Sequence, residues 1–257
     1  MKSERGVIGS LVPENIPSTE KILNQMKTCI CKIDIGNINA TGFFCKIPQI
    51  NMVFLMTNYN VITEENINEN KEINILLNDD KEALVLDLTI EREKYFDKEY
   101  DIVAIEMKNE DKVKEYLEMD ENIFKDDIEK YYKGKSIYIL HYLNEKNINI
   151  SYGKLIKIEK CDIIYICSTD KVSLGSPILN SENNKVIGIH KQSSNNYNNG
   201  TFLKYPLNDI IIKYNKNNII ENRNNIIIGE IKINKDDINK DILIINSFEN
   251  NKRNHPY

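Results

Sequence analysis

The stretch Ser173-Leu174-Gly175-Ser176-Pro177-Ile178-Leu179, with Val186-Ile187-Gly188-Ile189-His190 just beyond it, decides how this chain is read. Two short apolar runs flank a polar segment of Asn, Ser, Glu and Lys, which is the pattern of neighbouring strands rather than of one helix. The spacing predicts strands over Ser176–Asn180 and Val186–Lys191. Outward from there, the same period of two recurs at Cys29–Ile35, Ala40–Ile47, Asn51–Thr57, Glu72–Leu77, Ala83–Glu91 and Ile102–Met107. It recurs again at Ser136–His141, Ile148–Ile158, Ile163–Ser168 and Thr201–Lys204. Many short strands broken by Asn, Gly and Asp turns predict an all-β sandwich or barrel architecture. Pro17-Ser18-Thr19-Glu20 opens a helix over Glu20–Lys27, with Ile22, Leu23 and Met26 on one side. The polar, helix-prone stretch Asn109–Tyr132 lies midway and suits a connector between two barrels. Pro206–Tyr214 has helical spacing and closes the second of them. Residues 1–17 read as a tail, and 215–257 as an Asn-rich linker with a small C-terminal β extension, Ile226–Ile233 and Asp241–Ser247.

Composition narrows the function. With 257 residues, the chain holds one large domain and an extension. A net charge of −5 argues against nucleic acid as a partner, because phosphate recognition needs a basic footprint. No apolar run is long enough to span a bilayer, so no membrane is expected. Met1–Gly9 lacks the apolar core of a secretion signal. Five cysteines, Cys29, Cys31, Cys45, Cys161 and Cys167, make an odd number, which predicts free thiols in a cytoplasmic setting. Cys29 and Cys31 share one face of a strand instead of a tight turn, and no second pair has ligand spacing. Neither a metal nor a cofactor is expected.

Three segments carry a resemblance. Thr41-Gly42-Phe43-Phe44 precedes Leu55-Met56-Thr57-Asn58-Tyr59-Asn60-Val61-Ile62. Tyr100-Asp101-Ile102-Val103-Ala104-Ile105 follows, and the Ser173–Leu179 stretch comes last. In this order they resemble the signature blocks of trypsin-like (chymotrypsin-fold) serine proteases, over about Thr28 to Tyr214. The nearest subgroup resembles the glutamyl-endopeptidase-like enzymes. The resemblance implies a chymotrypsin-like double six-stranded β-barrel. It places Asn60 where the family has its general-base His, Asp101 at the orienting carboxylate, and Leu174 at the nucleophilic Ser. It makes Val172 and Leu174 the remnant of the oxyanion hole, with Val172 where the family has Gly. It aligns Thr169 and His190 with the pair that binds a substrate carboxylate in glutamyl-specific relatives.

The chemistry of the triad needs a hydroxyl to attack, an imidazole to take its proton, and a carboxylate to orient the ring. An Asn amide cannot cycle a proton near neutral pH, and Leu has no nucleophilic atom. The expectation is therefore a catalytically inactive homologue, a module for a protein or peptide partner. In it, Asn60 donates its amide to Asp101 in place of the missing ring, and a protonated His190 with Thr169 prefers an acidic side chain. The opposing reading is an active cytosolic serine endopeptidase cleaving after acidic residues, which requires a relocated triad.

Overall fold

The computed structural model describes residues 15–35, 38–78, 81–143, 147–167, 174–194 and 197–228. Two units divide the chain, residues 1–207 and 208–257. The first begins with helix α1 (Ile16–Thr28). A β-rich half follows: β1 (Ile30–Ile35), β2 (Ile38–Ile47), β3 (Met52–Thr57), α2 (Glu64–Glu69), β4 (Glu72–Leu77), β5 (Glu82–Asp87), β6 (Lys94–Asp97), β7 (Ile102–Glu106) and β8 (Leu117–Glu118). The second half comprises α3 (Ile128–Tyr132), β9 (Ser136–Leu143), β10 (Asn147–Glu159), β11 (Asp162–Cys167), β12 (Pro177–Asn180), β13 (Lys185–Ser193) and β14 (Asn198–Phe202). Helix α4 (Lys204–Ile228) comes last.

The second half is a closed six-stranded barrel in the order β10-β11-β14-β13-β12-β9. The first is an eight-stranded sheet running β5-β4-β1-β2-β3-β7-β6, with β8 attached to β2. Together they give the expected chymotrypsin-like double β architecture. Period-two alternation puts the apolar face inward. In β4, Ile73, Ile75 and Leu77 are buried while Glu72 is exposed. These residues join Cys31, Ile33, Phe44, Leu55, Val103 and Ile105 in one core. Burying each such aliphatic side chain stabilises the fold by about 1.5–3 kcal/mol. Gly42 in β2 makes room for that packing: a Cβ there would stand 2.5 Å from the Ile33 Cδ1, and the Ile33 side chain would have to shift.

The five cysteines are free thiols, three of them buried. Burial pushes the Cys29 thiol up to about 11 and the Cys45 thiol well above its ordinary value, so both are inert toward nucleophilic chemistry. Among the described residues no group of three or more His, Cys, Asp and Glu has the arrangement of a metal site. No described helix is long and apolar enough to cross a membrane.

Two expectations differ from the structure. Helix α1 turns Ile22 and Gln25 inward and leaves Leu23 48% exposed. The Gln25 amide explains this: Nε2 donates to the Asn184 carbonyl at 2.9 Å, and Oε1 accepts from the Tyr138 hydroxyl at 2.8 Å. A buried polar side chain with both ends bonded competes well with an apolar one.

The midway connector holds short helical turns, α3 and an extended stitch. Leu117 pairs with Cys45 in the first half, and Met119 bridges Val186 in the second. Asp120 fixes the stitch by accepting from Asn180 Nδ2 at 3.0 Å and from Asn122.

The linker expected from residue 215 continues α4 to Ile228 instead, so Ile226–Ile228 are helical. Nothing between Leu207 and Ile228 is Pro or Gly, and Gly229 comes only afterwards. The remainder of the expected strands Ile226–Ile233 and Asp241–Ser247 lies outside the described residues.

Candidate functional site

Strands β3 and β7 are hydrogen-bonded neighbours, with Thr57 opposite Val103. That register sets the turn after Thr57 beside the residue before Ile102, so Asn60 and Asp101 meet. The Asn60 backbone N–H donates to Asp101 Oδ1 at 3.0 Å, and the Asn60 carboxamide bonds the same carboxylate. Asn58 Nδ2 donates to the Asp101 carbonyl at 3.0 Å. Val61 and Ile62, buried in the first core, anchor the turn. Asp101 sits at φ +52°, a left-handed conformation uncommon outside Gly and costly unless its surroundings hold it. Here Asn58 holds it from the first half. The Thr201 hydroxyl of β14, bonded to the Tyr100 carbonyl, holds it from the second. Burial holds the Asp101 carboxyl above its usual range, against the amide donors of Asn60 and the more distant Lys191.

Leu174 and Gly175 approach from the second barrel. The Leu174 carbonyl accepts from the Thr41 N–H at 3.1 Å, and the Gly175 N–H points to the His190 carbonyl. Thr41 joins both halves: its carbonyl accepts from the Thr57 hydroxyl at 2.9 Å, and its own hydroxyl accepts from the Tyr142 N–H at 3.3 Å. Gly175 adopts φ +80°, and a Cβ on it would stand 2.0 Å from the Thr41 oxygen and 2.3 Å from Thr57 Oγ1. Only Gly fits this cradle. The loop carrying Leu174 therefore rests against Thr57, three residues before Asn60. The Leu174 side chain is 41% exposed, an apolar group at the surface and not a plug in the core. Thr169 and Val172 lie outside the described residues.

His190 is 1% exposed. Its Nδ1 shares a hydrogen bond with the Tyr165 hydroxyl at 2.7 Å, and its Nε2 one with the Ser193 hydroxyl at 3.3 Å. Burial and the nearby His141 ring push its pKa down to about 3. The ring is thus neutral at neutral pH with both nitrogens engaged inside the chain. This corrects the expectation of a protonated, donating His190: desolvation penalises the imidazolium.

His141 shares a 2.9 Å hydrogen bond with the Ser151 hydroxyl. That is a hydroxyl–imidazole pair, but Ser151 is 4% exposed and His141 Nδ1 has no partner to orient the ring. Burial drives His141 to about 4. A base so weak, beside a hydroxyl no substrate reaches, does not make a nucleophile.

Sequence reading missed Lys191, and it quoted Thr41 and Thr57 only as members of their blocks. Their role is in the seam, where the Thr57 hydroxyl donates to the Thr41 carbonyl and the Thr41 hydroxyl accepts from the Tyr142 N–H. Lys191 sits where the register of β13 slips between His190 and Gln192, a bulge that redirects its side chain.

No protein-family model and no curated protein sequence matches the chain. Solved structures do. The Rv3671c protease in an inactive form aligns with TM-score 0.53 and 13% identity, over 76% of this chain and 93% of that one. A serine-to-alanine mutant of Rv3671c from M. tuberculosis H37Rv, also an inactive form, aligns with TM-score 0.52 and 13% identity, over 76% and 91%. A human pathogenic astrovirus serine protease aligns with TM-score 0.49 and 18% identity, over 68% and 89%. At 13% identity the likeness to Rv3671c speaks for the fold alone: this chain has the chymotrypsin-like fold of trypsin-like serine proteases.

Proposed function

We propose that the chain is a catalytically inactive homologue of these proteases that binds an extended peptide or protein segment at the remnant cleft. The observation behind this reading is the substitution pattern inside an otherwise assembled frame. Asn60 bonds Asp101 as a ring would, yet has no titratable nitrogen. Leu174, which the resemblance aligns with the nucleophilic Ser, lies on a loop held by Thr41 and Thr57. Removing members of a triad that acts as one unit costs many orders of magnitude in rate, while the binding surface does not depend on them. Leu174, exposed on that loop, is an apolar contact a partner can cover.

The test is selection of unstructured heptapeptides from a displayed library on the folded chain. Binders are expected, and Leu174→Asp should weaken them roughly ten- to a hundredfold, the loss of one buried aliphatic contact. No enrichment over an unrelated β-protein, or binders indifferent to Leu174→Asp, would count against a cleft-binding role.

A further inference from the structure

One thiol in the second barrel has surroundings unlike those of the other four. Cys29, Cys31 and Cys45 are buried, and burial pushes all three thiols above their ordinary values. Cys161 is half-buried, and burial together with the Asp162 carboxylate raises it as well. Cys167 is half-buried at the end of β11, and a carboxamide is aimed at its sulfur. Asn198 Nδ2 donates to Cys167 Sγ at 3.2 Å.

The strand register brings the two together. Asn198 of β14 stands opposite Tyr165 of β11 on one side and Ser193 of β13 on the other. Cys167 lies two residues beyond Tyr165 and shares its face of β11, so Asn198 reaches it diagonally. Asn198 is 4% exposed, and its Oδ1 is buried without a hydrogen-bond partner. The two hydroxyls nearest in register are engaged elsewhere: Tyr165 with His190 Nδ1, Ser193 with His190 Nε2. A buried amide oxygen left unpaired is costly, and few folds carry one without a use for it.

We propose that Cys167 is an oxidation site that holds a sulfenic acid, with Asn198 as the positioning residue for the added oxygen. The thiolate is the form that reacts, and it attacks one oxygen of a hydroperoxide such as hydrogen peroxide. An S–O bond forms, the O–O bond breaks, and the sulfur gives two electrons to the peroxide. The departing hydroxide takes the proton that the thiol released and leaves as water. The product carries one hydroxyl beside the carboxamide. That hydroxyl donates to Asn198 Oδ1, the acceptor that the reduced protein leaves without a donor, while Nδ2 keeps its bond to sulfur. A hydroxyl both donates and accepts, so it satisfies the carboxamide with either end turned toward it. No thiol stands ready to resolve the product as a disulfide. Cys161 is at the other end of β11, about 20 Å away along the strand, well beyond disulfide reach.

The test treats the full chain with equimolar hydrogen peroxide, traps sulfenic acid with dimedone, and reads all five cysteines by peptide mass mapping. Cys167 should carry the adduct at roughly tenfold the level of Cys161, which lacks a side-chain amide on its sulfur. Equal labelling of the two, or a sulfinic acid at Cys167 with no trappable precursor, would overturn the proposal. The role of Asn198 is read from persistence: catalase removes the peroxide, and dimedone is added after increasing delays. Wild-type Cys167 should stay trappable roughly tenfold longer than in Asn198→Leu, the weight of one hydrogen bond. Equal lifetimes would overturn the assignment of Asn198. Alkylation of Cys29, Cys31 and Cys45 without denaturant would report an unfolded variant, and Asn198→Ala then carries the same comparison.

Discussion

Acidification from pH 6 to pH 4 should cost this fold roughly 2 kcal/mol of stability per pH unit from two histidines alone. His141 and His190 lie inside the second barrel at 1% exposure, and burial pushes them to about 4 and about 3, from 6.5 in an open chain. Both folded values are depressed, so the unfolded chain binds protons first. The stabilisation is complete above about pH 6.5 and drains as pH falls toward the folded values. Near pH 5 the slope approaches about 1.4 kcal/mol per unit for each ring, and it falls toward pH 4 as the folded His141 takes up its own proton. Asp101, raised by burial, acts in the opposite direction and offsets part of the loss. Urea unfolding midpoints measured from pH 7 to pH 4 on wild type and on His141→Gln/His190→Gln will show the difference. The double variant should be less stable at pH 7 but markedly flatter with pH. Equal slopes would mean the rings are not held neutral.

Arg92→Met should destabilise the chain by about 3–5 kcal/mol and lower its thermal midpoint by roughly 10 °C. Arg92 has a fully buried guanidinium that closes the first half. It donates to Asp111 Oδ2 at 2.9 Å and Oδ1 at 3.2 Å, to the Glu106 carbonyl at 2.7 Å and to the Asp87 carbonyl at 2.9 Å. Removing it strands the Asp111 carboxylate, 6% exposed, with only the backbone N–H of Lys108. Replacing both partners by apolar residues avoids the stranded charge, so Arg92→Met/Asp111→Leu should recover much of the loss. A single variant within 1 kcal/mol of wild type would show that this clasp holds nothing in place.

The sequence marked most strands because their burial is one-sided: β4 alternates cleanly, and its register follows from its apolar face. It missed β6, a short strand whose four residues are all half-buried and so show no alternation. The stitch at Leu117 and Met119 did carry a period-two signal, but it was hidden in a polar, helix-prone stretch. Within the site, the meeting of Asn60 and Asp101 was legible because both sit in blocks with characteristic neighbours. The state of His190 was not, since its protonation depends on Tyr165, Ser193 and His141, which are distant in sequence and meet only when the barrel closes. The same holds for Thr41, whose three backbone and hydroxyl contacts join segments far apart in the chain.

Covalent labelling most directly tests the proposal that this protease-like frame lacks protease chemistry. The purified chain would be treated with a fluorophosphonate probe, and separately with peptides carrying Glu or Asp before the scissile bond, with readout by intact mass. If Asn60 and Leu174 stand in for the base and the nucleophile as proposed, the mass should stay unchanged and the peptides intact. A stoichiometric adduct on any serine, lost when that serine is replaced by alanine, would contradict the account and require a working triad elsewhere in the fold.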